Sequence, residues 1–370
     1  MDYDKATLAC NALGRMFGFE PKKLQQMLKE CGGPQEVLEY VRDRPALVPD
    51  YVPAPHAAME AAARELDGLE RCGACYVGIC SDSYPSALKD CPDAPAGLYL
   101  KGRSRPEDIF GIPAVAFVGT RDMSSYGRDW CARLVRAIAG SGGKVSIVSG
   151  LALGIDSVAH RTALDCGLPT IAVMATGIDD VYPYRNTDMA GEIAAAHESA
   201  LVTDFPSGTS PLGMNFLRRN RIIAGLSGAT VLVESRIKGG GMMTARLAWS
   251  YERDVLALPG RAEDVRSQGC NYLIHKKISE IIPDIPSFLD LLGMKPSRKG
   301  RKKDAGTVSA EGKSALMNAI ISMVAGNRDI TPEEIARRMN LPYHEVNAAV
   351  GILEAEGILQ TDLLRRCSLC

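Results

Sequence analysis

Residues 118–124 (Val-Gly-Thr-Arg-Asp-Met-Ser) combine several groups that bind phosphate. The stretch ends an apolar run and precedes a helical pattern, so Gly119 is predicted to lie where a strand turns sharply into a helix. The start of a helix binds anions through its unpaired N–H groups and its dipole. Arg121 adds a planar fork of donors that matches phosphate oxygens, and Ser124 offers an N-cap oxygen and a hydroxyl. The stretch therefore predicts a phosphate site, with a purely capping role for both side chains as the alternative.

A second stretch, residues 215–225, places Asn215 and Phe216 ahead of three arginines within four positions. These arginines are Arg218, Arg219 and Arg221. Guanidinium groups hold phosphates while an aromatic ring stacks on an unpaired base, which is worth about 1–3 kcal/mol per base. The pattern predicts single-stranded nucleic acid as the ligand. In the alternative, Phe216 packs in the core and the arginines are solvated or paired with Asp204 and Glu234.

Two further glycine-containing loops lie between a predicted strand and a predicted helix. Residues 149–154 include Gly150, and residues 238–241 place Lys238 before three glycines. Glycine permits positive φ and close approach of a ligand to the backbone. We expect Lys238 to contact phosphate, with a mobile loop carrying a solvated lysine as the alternative.

Residues for catalysis are hard to find. Asp156 and His160 lie four apart on a predicted helix and share one face, which would suit an acid–base pair. We favour a salt-bridged or capping pair, because the sequence shows no Ser-His-Asp, nucleophilic Cys-His or Walker lysine pattern. We therefore predict no catalytic residues and no cofactor.

Composition limits the class of protein. The chain has 370 residues, enough for two or three domains, and its 43 Lys and Arg balance 44 Asp and Glu, so any basic surface must be local. We find no signal-peptide pattern and no apolar run that would cross a membrane, and therefore expect a cytoplasmic protein. Most cysteines are predicted to be reduced core residues. The clusters at residues 72–91 and 367–370 leave zinc open as an alternative, without a matching ligand pair.

The pattern along the chain predicts four segments. Residues 1–70 read as a small helical domain of the SAM or helix-hairpin-helix kind, and residues 71–290 alternate apolar strands with amphipathic helices. Such alternation predicts an α/β fold with a doubly wound parallel sheet, in which ligands bind at the carboxyl ends of the strands. Residues 291–311 form a basic linker, and residues 312–370 read as three helices and a short wing.

The carboxy-terminal segment resembles a winged helix in layout. Its second helix is predicted to begin after Thr331 as N-cap, and residues 344–350 would form the recognition helix. These residues include no arginine or lysine, so we favour a protein–protein or vestigial role over reading of duplex DNA.

Several motifs, taken together and in order, resemble the DNA-processing protein A family, also called Smf. They are Tyr84-Pro85-x-x-Leu88, Leu98-Tyr99-x-x-Gly102, Val118-Gly119-Thr120-Arg121, Ser149-Gly150-Leu151-Ala152-x-Gly154-Ile155-Asp156-x-x-Ala159-His160, Asn215-Phe216-x-x-Arg219-Asn220-Arg221-Ile222-Ile223-Ala224-Gly225-Leu226-Ser227, Thr244-Ala245-Arg246, Pro259-Gly260 and Gly269-Cys270-Asn271-x-Leu273-Ile274. The resemblance extends from about residue 84 to residue 283, whereas the terminal segments match only in layout. The chain departs from the family pattern at residues 238–243, where a serine-glycine-serine sequence is more common.

That resemblance implies an extended Rossmann-like domain that binds single-stranded DNA, forms a homodimer and helps to load the recombinase RecA during natural transformation. It implies a mediator rather than an enzyme. By motif, Gly119, Arg121 and Ser124 would form the phosphate loop, and Phe216 would meet a base. The remaining residues would line or shape a positive pocket: Arg218, Arg219, Arg221, Lys238, Asn215 and Gly150.

Two other functions stay open. A phosphoribohydrolase that cleaves nucleoside monophosphates could use the same glycine-lined strand ends, although the glutamate of its P-G-G-x-G-T-x-x-E motif is missing after residue 241. A transcriptional regulator acting through the carboxy-terminal helices is the third reading.

Overall fold

The computed structural model describes residues 3–45, 48, 52–294, 315–327, 330–362 and 366–369. The chain divides into two compact units, Met1–Pro296 and Ser297–Cys370. Most of the predicted basic linker at residues 291–311 lies outside the described residues.

Four helices open the first unit: α1 (Lys5–Phe17), α2 (Pro21–Cys31), α3 (Pro34–Arg42) and α4 (Pro55–Leu69). Asp4 caps α1 by accepting a 2.7 Å hydrogen bond from the Thr7 amide, and proline begins each of the other three, where its missing N–H costs nothing. Their apolar faces meet in a small core around Leu13, Phe17 and Leu24. The helices give way to the sheet after residue 72, and both parts belong to the same compact unit, so a domain boundary at residue 70 stays a prediction.

The sheet has nine strands in the order β1-β2-β6-β5-β4-β3-β7-β8-β9. They are β1 (Ala74–Gly78), β2 (Gly97–Lys101), β3 (Ala114–Val118), β4 (Ser146–Ser149), β5 (Thr170–Val173), β6 (Ala200–Thr203), β7 (Ala229–Leu232), β8 (Asp254–Ala257) and β9 (Glu280–Ile281). Strands β3 to β9 pair in parallel, whereas β2 runs antiparallel to both of its neighbours. The predicted α/β fold is confirmed, with one reversed strand near the edge of an otherwise parallel sheet.

Helices cover both faces of this sheet. They are α5 (Ser86–Lys89), α6 (Pro106–Phe110), α7 (Ser125–Ser141), α8 (Ile155–Asp165), α9 (Thr187–Ala195), α10 (Gly213–Leu226), α11 (Gly240–Ser250), α12 (Gln268–His275) and α13 (Ile285–Leu291). Helices α7, α8 and α13 pack on one face, with α9 beside α8, while α10, α11 and α12 pack on the other. Alternate residues of β3 supply the two cores, with Phe117 in one and Val118 in the other. The sheet is therefore doubly wound, as predicted.

Strand order reverses beside β3. From β3 the chain winds outward through β4, β5 and β6, and then returns to place β7 on the opposite side of β3. The loops that follow β3 and β7 diverge at such a reversal and leave a crevice at the carboxyl ends of the strands. This edge carries the predicted site.

The second unit contains α14 (Ala315–Gly326), α15 (Pro332–Met339), α16 (Tyr343–Ala355) and an antiparallel hairpin of β10 (Leu359–Thr361) and β11 (Cys367–Leu369). Thr331 caps α15 by accepting a hydrogen bond from the Glu334 amide. The hydrophobic core of the second unit is built around Ile335, Val346 and Leu353. Three helices followed by a hairpin agree with the predicted winged-helix-like arrangement.

Candidate functional site

The loop after β3 is fixed at several points. The Thr120 amide donates a 2.7 Å hydrogen bond to the Glu234 carbonyl, which lies just beyond β7. Gly119 is packed so closely that a Cβ there would lie 2.6 Å from Ile155 Cγ1 and 2.9 Å from the Glu234 carbonyl oxygen. The loop is thereby held against β7 and the start of α8, with its backbone at the reversal of strand order.

Ser124 closes this loop in a way that the sequence did not reveal. Its hydroxyl accepts the Gly127 amide at 3.1 Å as the N-cap of α7. The same hydroxyl donates to the buried carboxylate of Glu234, which also accepts the Ser124 amide at 2.9 Å. Both capacities of the hydroxyl are used within the protein, and Ser124 does not line the cavity described next. The predicted ligand contact through this hydroxyl is replaced by an anchoring role.

A cavity of about 660 Å³ opens beside the loop. Five of the ten predicted residues line it: Gly119, Arg121, Phe216, Arg219 and Lys238. The other five, Ser124, Gly150, Asn215, Arg218 and Arg221, lie outside its lining. Arg121 and Lys238 are exposed, so both cations can reach a ligand in the cavity.

Two helices begin at the cavity without a side-chain cap. Helix α11 starts at Gly240 after Gly239, and α10 starts at Gly213 after Leu212. Gly213, Gly239, Gly240 and Gly241 all belong to the lining. The first N–H groups of a helix have no intrahelical partner and carry partial positive charge. Two such ends add donors for an anion to the charges of Arg121 and Lys238.

Aromatic rings form one wall. The Arg121 guanidinium carbon lies 5.0 Å from the centre of the Phe216 ring, and Tyr182 meets the same ring edge-on at 5.7 Å between centroids. Tyr184, which is 70% exposed, lies 6.1 Å from Tyr182. Sequence reasoning found Phe216 but missed both tyrosines. Their signal was two aromatic residues in the loop that follows β5, at the ligand-binding edge of the sheet.

Arg219 forms the floor of the cavity. It is buried and donates to the carbonyls of Gly150 and Val173, at the ends of β4 and β5. Burial lowers the pKa of the Arg219 guanidinium to about 10, while the nearby Asp156 carboxylate opposes that shift. With both Nη1 bonds directed at the protein backbone, Arg219 shapes the cavity and supplies positive potential beneath it.

The Asp156 side chain stabilises the backbone of the loop after β4. Its carboxylate accepts the amides of Gly150 and Ala152 at 3.2 and 3.4 Å. Burial raises the pKa of Asp156, and Arg219 is the main group opposing the rise. His160 is separately engaged through Nδ1 with the Thr170 hydroxyl at 2.8 Å, and burial lowers its pKa to about 3. The two side chains therefore serve the fold separately, whereas a salt-bridged or capping pair was expected.

The other two arginines of α10 point away from the cavity. Arg221 forms a buried salt bridge with Asp204 and donates to the Asp93 carbonyl, so the alternative of a pairing with Asp204 is correct for this residue. Arg218 donates to the Gly18 carbonyl and stacks over Phe19 and Phe205, with 4.1 and 5.0 Å to the ring centres. Both residues connect α10 to other parts of the first unit, which corrects the prediction that they line the pocket.

Asn215 and Gly150 support the site from behind. The buried Asn215 side chain donates from Nδ2 to the Ser210 carbonyl at 3.2 Å, and Gly150 leaves room for the Arg219 guanidinium. They shape the cavity without lining it, which agrees with the role implied for them.

Metal ligands do not assemble in the part of the chain that the structure describes, since no three His, Cys, Asp or Glu side chains gather there. Cys370 of the carboxy-terminal pair lies outside the described residues. None of the described helices has the length and apolar character needed to cross a membrane.

The fold and the cavity define a Rossmann-like α/β protein with a cationic, aromatic-walled cleft at the reversal of its strand order. Residues 76–293 match the family described as DNA recombination-mediator protein A, and the chain belongs to this family. The match begins within β1 and extends just beyond the end of α13.

Individual relatives agree with this assignment. Protein Smf of Escherichia coli is 33% identical over 284 residues, covering 75% of this chain and 72% of that protein. Protein Smf of Synechocystis is 40% identical over 214 residues, covering 58% of this chain and 52% of its own length. DNA processing protein DprA of Streptococcus pneumoniae is 38% identical over 198 residues, which cover 54% of this chain and 67% of that protein.

Solved structures show the same fold. The X-ray structure of DprA from Streptococcus pneumoniae superposes with a TM-score of 0.58 at 28% identity, covering 79% of this chain and 95% of that one. DNA processing protein A from Helicobacter pylori, whose structure gave insight into its single-stranded DNA binding mode, superposes with a TM-score of 0.52 at 30% identity. That alignment covers 59% of this chain and 95% of the Helicobacter chain.

Proposed function

We propose that this protein is a single-stranded DNA-binding recombination mediator. It would protect incoming single strands and help to load the recombinase RecA during natural transformation, without cofactor or catalysis. The observation that carries the proposal is the contact between Arg121 and Phe216, which sets a phosphate-binding fork beside a ring at the mouth of the cavity. A nucleotide unit carries the two groups that would bind to this pair, a charged phosphate for Arg121 and a flat base for Phe216.

The arrangement favours a strand over a single phosphate. Arg121 and Lys238 supply mobile charge at the cavity, and the starts of α10 and α11 supply fixed N–H donors. Tyr182 and Tyr184 continue outward from Phe216, so rings are available for more than one base. Stacking on aromatic rings is tolerant of sequence, because every base has a π-face. We therefore expect binding with little preference for sequence.

We expect a preference for single strands, because only an unpaired base can stack on the Phe216 ring. In a duplex the base faces are stacked on their neighbours, and rings such as Phe216 cannot reach them without unpairing. Phosphate contacts alone would then remain for duplex DNA. The single-stranded DNA binding of the Helicobacter pylori relative supports this choice of ligand.

The test is fluorescence anisotropy with labelled single-stranded and duplex oligonucleotides at two salt concentrations. We expect tight, salt-sensitive binding that selects the single strand, and its loss in the double variant Arg121→Ala/Lys238→Ala. Arg42→Ala/Lys144→Ala is the matched control, because it removes the same two charges from exposed side chains that do not line the cavity. Equal affinity of both double variants would refute the proposed cavity.

RecA loading and dimer formation need separate measurements. We expect the protein to shorten the lag before RecA filaments form on single strands covered by single-strand-binding protein, and to sediment as a homodimer. Unchanged filament kinetics would remove RecA from the proposal and leave single-strand binding intact. RecA loading would place the protein in the cytoplasm, where RecA meets incoming DNA.

The alternative of a nucleotide-cleaving enzyme receives no specific support from the site. Asp156 is the carboxylate in the cavity lining, and its oxygens accept backbone amides. Release of free base from nucleoside monophosphates by the purified protein would nevertheless favour that enzyme over the mediator.

A further inference from the structure

Two thiols meet where helix α1 packs against the beginning of the sheet. Cys10 lies on α1 and is fully buried, and Cys80 lies in the turn after β1 and is exposed. Their Sγ atoms are 3.3 Å apart, although the residues are 70 positions apart in the chain. Both are free thiols in this structure.

We propose that Cys10 and Cys80 form a site of reversible oxidative modification, at which a hydroperoxide converts the two thiols into a disulfide. The proposal is independent of the DNA-binding function. It rests on an exposed sulfur that an oxidant can reach and a buried sulfur already in contact with it. These are the features of a peroxide-reactive cysteine beside its resolving partner.

The other thiols described lack this combination. Cys131 and Cys270 are buried, and each directs its sulfur at backbone carbonyl oxygens. Cys72 donates to the Leu69 carbonyl at 3.1 Å, and burial raises the pKa of Cys75 to about 11. A raised pKa keeps a thiol protonated, and a protonated thiol is a poor first target for a peroxide.

The contact also determines which of the two sulfurs carries the negative charge. The hydrogen bond from Cys10 holds the pKa of Cys80 below its usual range, although partial burial opposes this shift. The same hydrogen bond, together with burial, raises the pKa of Cys10. The proton therefore stays on Cys10, and the thiolate, which is the nucleophile, forms on the exposed Cys80.

The reaction proceeds in two steps. The Cys80 thiolate attacks one oxygen of the hydroperoxide, the O–O bond breaks, and Cys80 becomes a sulfenic acid while the other oxygen leaves as water or an alcohol after taking a proton. Cys10 then attacks the Cys80 sulfur and loses its proton, and the sulfenic hydroxyl leaves as water. The two sulfurs give up two electrons in total to the peroxide. A dithiol reductant reverses the change by thiol–disulfide exchange.

The experiment uses the full chain, treated with hydrogen peroxide and then alkylated under denaturing conditions for peptide mapping. We expect the peptides of Cys10 and Cys80 to be joined, with a mass lower by two hydrogen atoms, and separated again by dithiothreitol. In Cys80→Ser, Cys10 should stay fully alkylatable after the same treatment. In Cys10→Ala, Cys80 should stop at the sulfenic acid and be trapped by dimedone.

Cys72→Ser is the matched control, since it removes a half-buried thiol outside the pair and should leave the cross-link unchanged. The proposal is overturned if Cys80 is oxidised to the sulfinic acid while Cys10 remains a thiol, if the disulfide maps to other cysteines, or if both thiols survive the peroxide. Because Cys80 is exposed, its serine variant is expected to fold, and the result does not depend on the buried Cys10→Ala change.

Discussion

Removal of Arg121 gives the sharpest test of the cavity. Its guanidinium is exposed, lines the cavity and lies 5.0 Å from the Phe216 ring centre. A hydrogen bond to a charged group contributes about 1.5–3 kcal/mol, so Arg121→Ala should weaken single-strand binding roughly 10- to 150-fold. One phosphate contact fewer should also reduce the slope of log affinity against log salt by about 0.7 for a single strand.

Two matched variants separate the causes. Arg121→Lys keeps the charge but loses the planar fork, so the salt slope should stay while affinity falls part of the way. Arg218→Ala removes a nearby arginine of α10. The Arg218 side chain packs on Phe19 and Phe205 and does not line the cavity. This variant should change affinity by less than about twofold, because it removes no proposed phosphate contact.

Fluorescence anisotropy over a series of salt concentrations measures both quantities, and circular dichroism confirms that each variant is folded. The reasoning fails if Arg121→Ala leaves affinity and slope unchanged. It also fails if Arg218→Ala costs as much as Arg121→Ala, because the arginines would then act through net charge and not through position.

Three further predictions concern stacking, packing and pH. Phe216→Ala should cost about 1–3 kcal/mol of binding with an unchanged salt slope, because it removes a stacking ring and no charge; an altered slope would contradict a stacking role. Gly119→Ala should destabilise the fold by about 1–3 kcal/mol in urea titrations, since its Cβ would lie 2.6 Å from Ile155 Cγ1. In the folded protein the His160 imidazole stays neutral because its pKa falls to about 3. In the unfolded chain the same imidazole takes up a proton near the ordinary pKa of histidine, about 6.5. The free energy of unfolding should therefore decrease as pH falls below the pKa of the unfolded chain, by about 1.4 kcal/mol per pH unit at most. The variant His160→Gln should show a shallower pH dependence in the same urea titrations.

Much of the fold follows from local patterns in the sequence. The predicted alternation of apolar strands and amphipathic helices is found in the parallel region, because buried parallel strands are short, apolar and bounded by glycine or polar turns. The two-residue strand β9 was not predicted, since Glu280 and Ile281 are both exposed and carry no periodic signal. The reversal of β2 was also invisible, because strand direction depends on pairing partners far away in the chain.

The candidate site was predictable to the extent that it depends on backbone turns. Gly119, Arg121 and Lys238 follow strand ends, and the carboxyl ends of parallel strands meet at one edge of a sheet. Tyr182 and Tyr184 follow a strand end too, but a linear reading does not show that their rings meet at 6.1 Å and that Tyr182 contacts Phe216. Ser124 was misassigned because its partner, Glu234, lies 110 residues away in the chain.

The three arginines of α10 show most clearly why residue type and clustering are insufficient. Successive residues of a helix point about 100° apart, so Arg219 points away from Arg218 and Arg221, which lie three positions apart on one face of the helix. Arg219 reaches the cavity floor, whereas Arg218 and Arg221 turn to the helical and antiparallel parts of the first unit. Helix geometry alone therefore predicts that Arg219 does not face the same ligand as Arg218 and Arg221. The cation that meets the ring of Phe216 comes from the loop after β3, where the turn at Gly119 brings Arg121 across to α10.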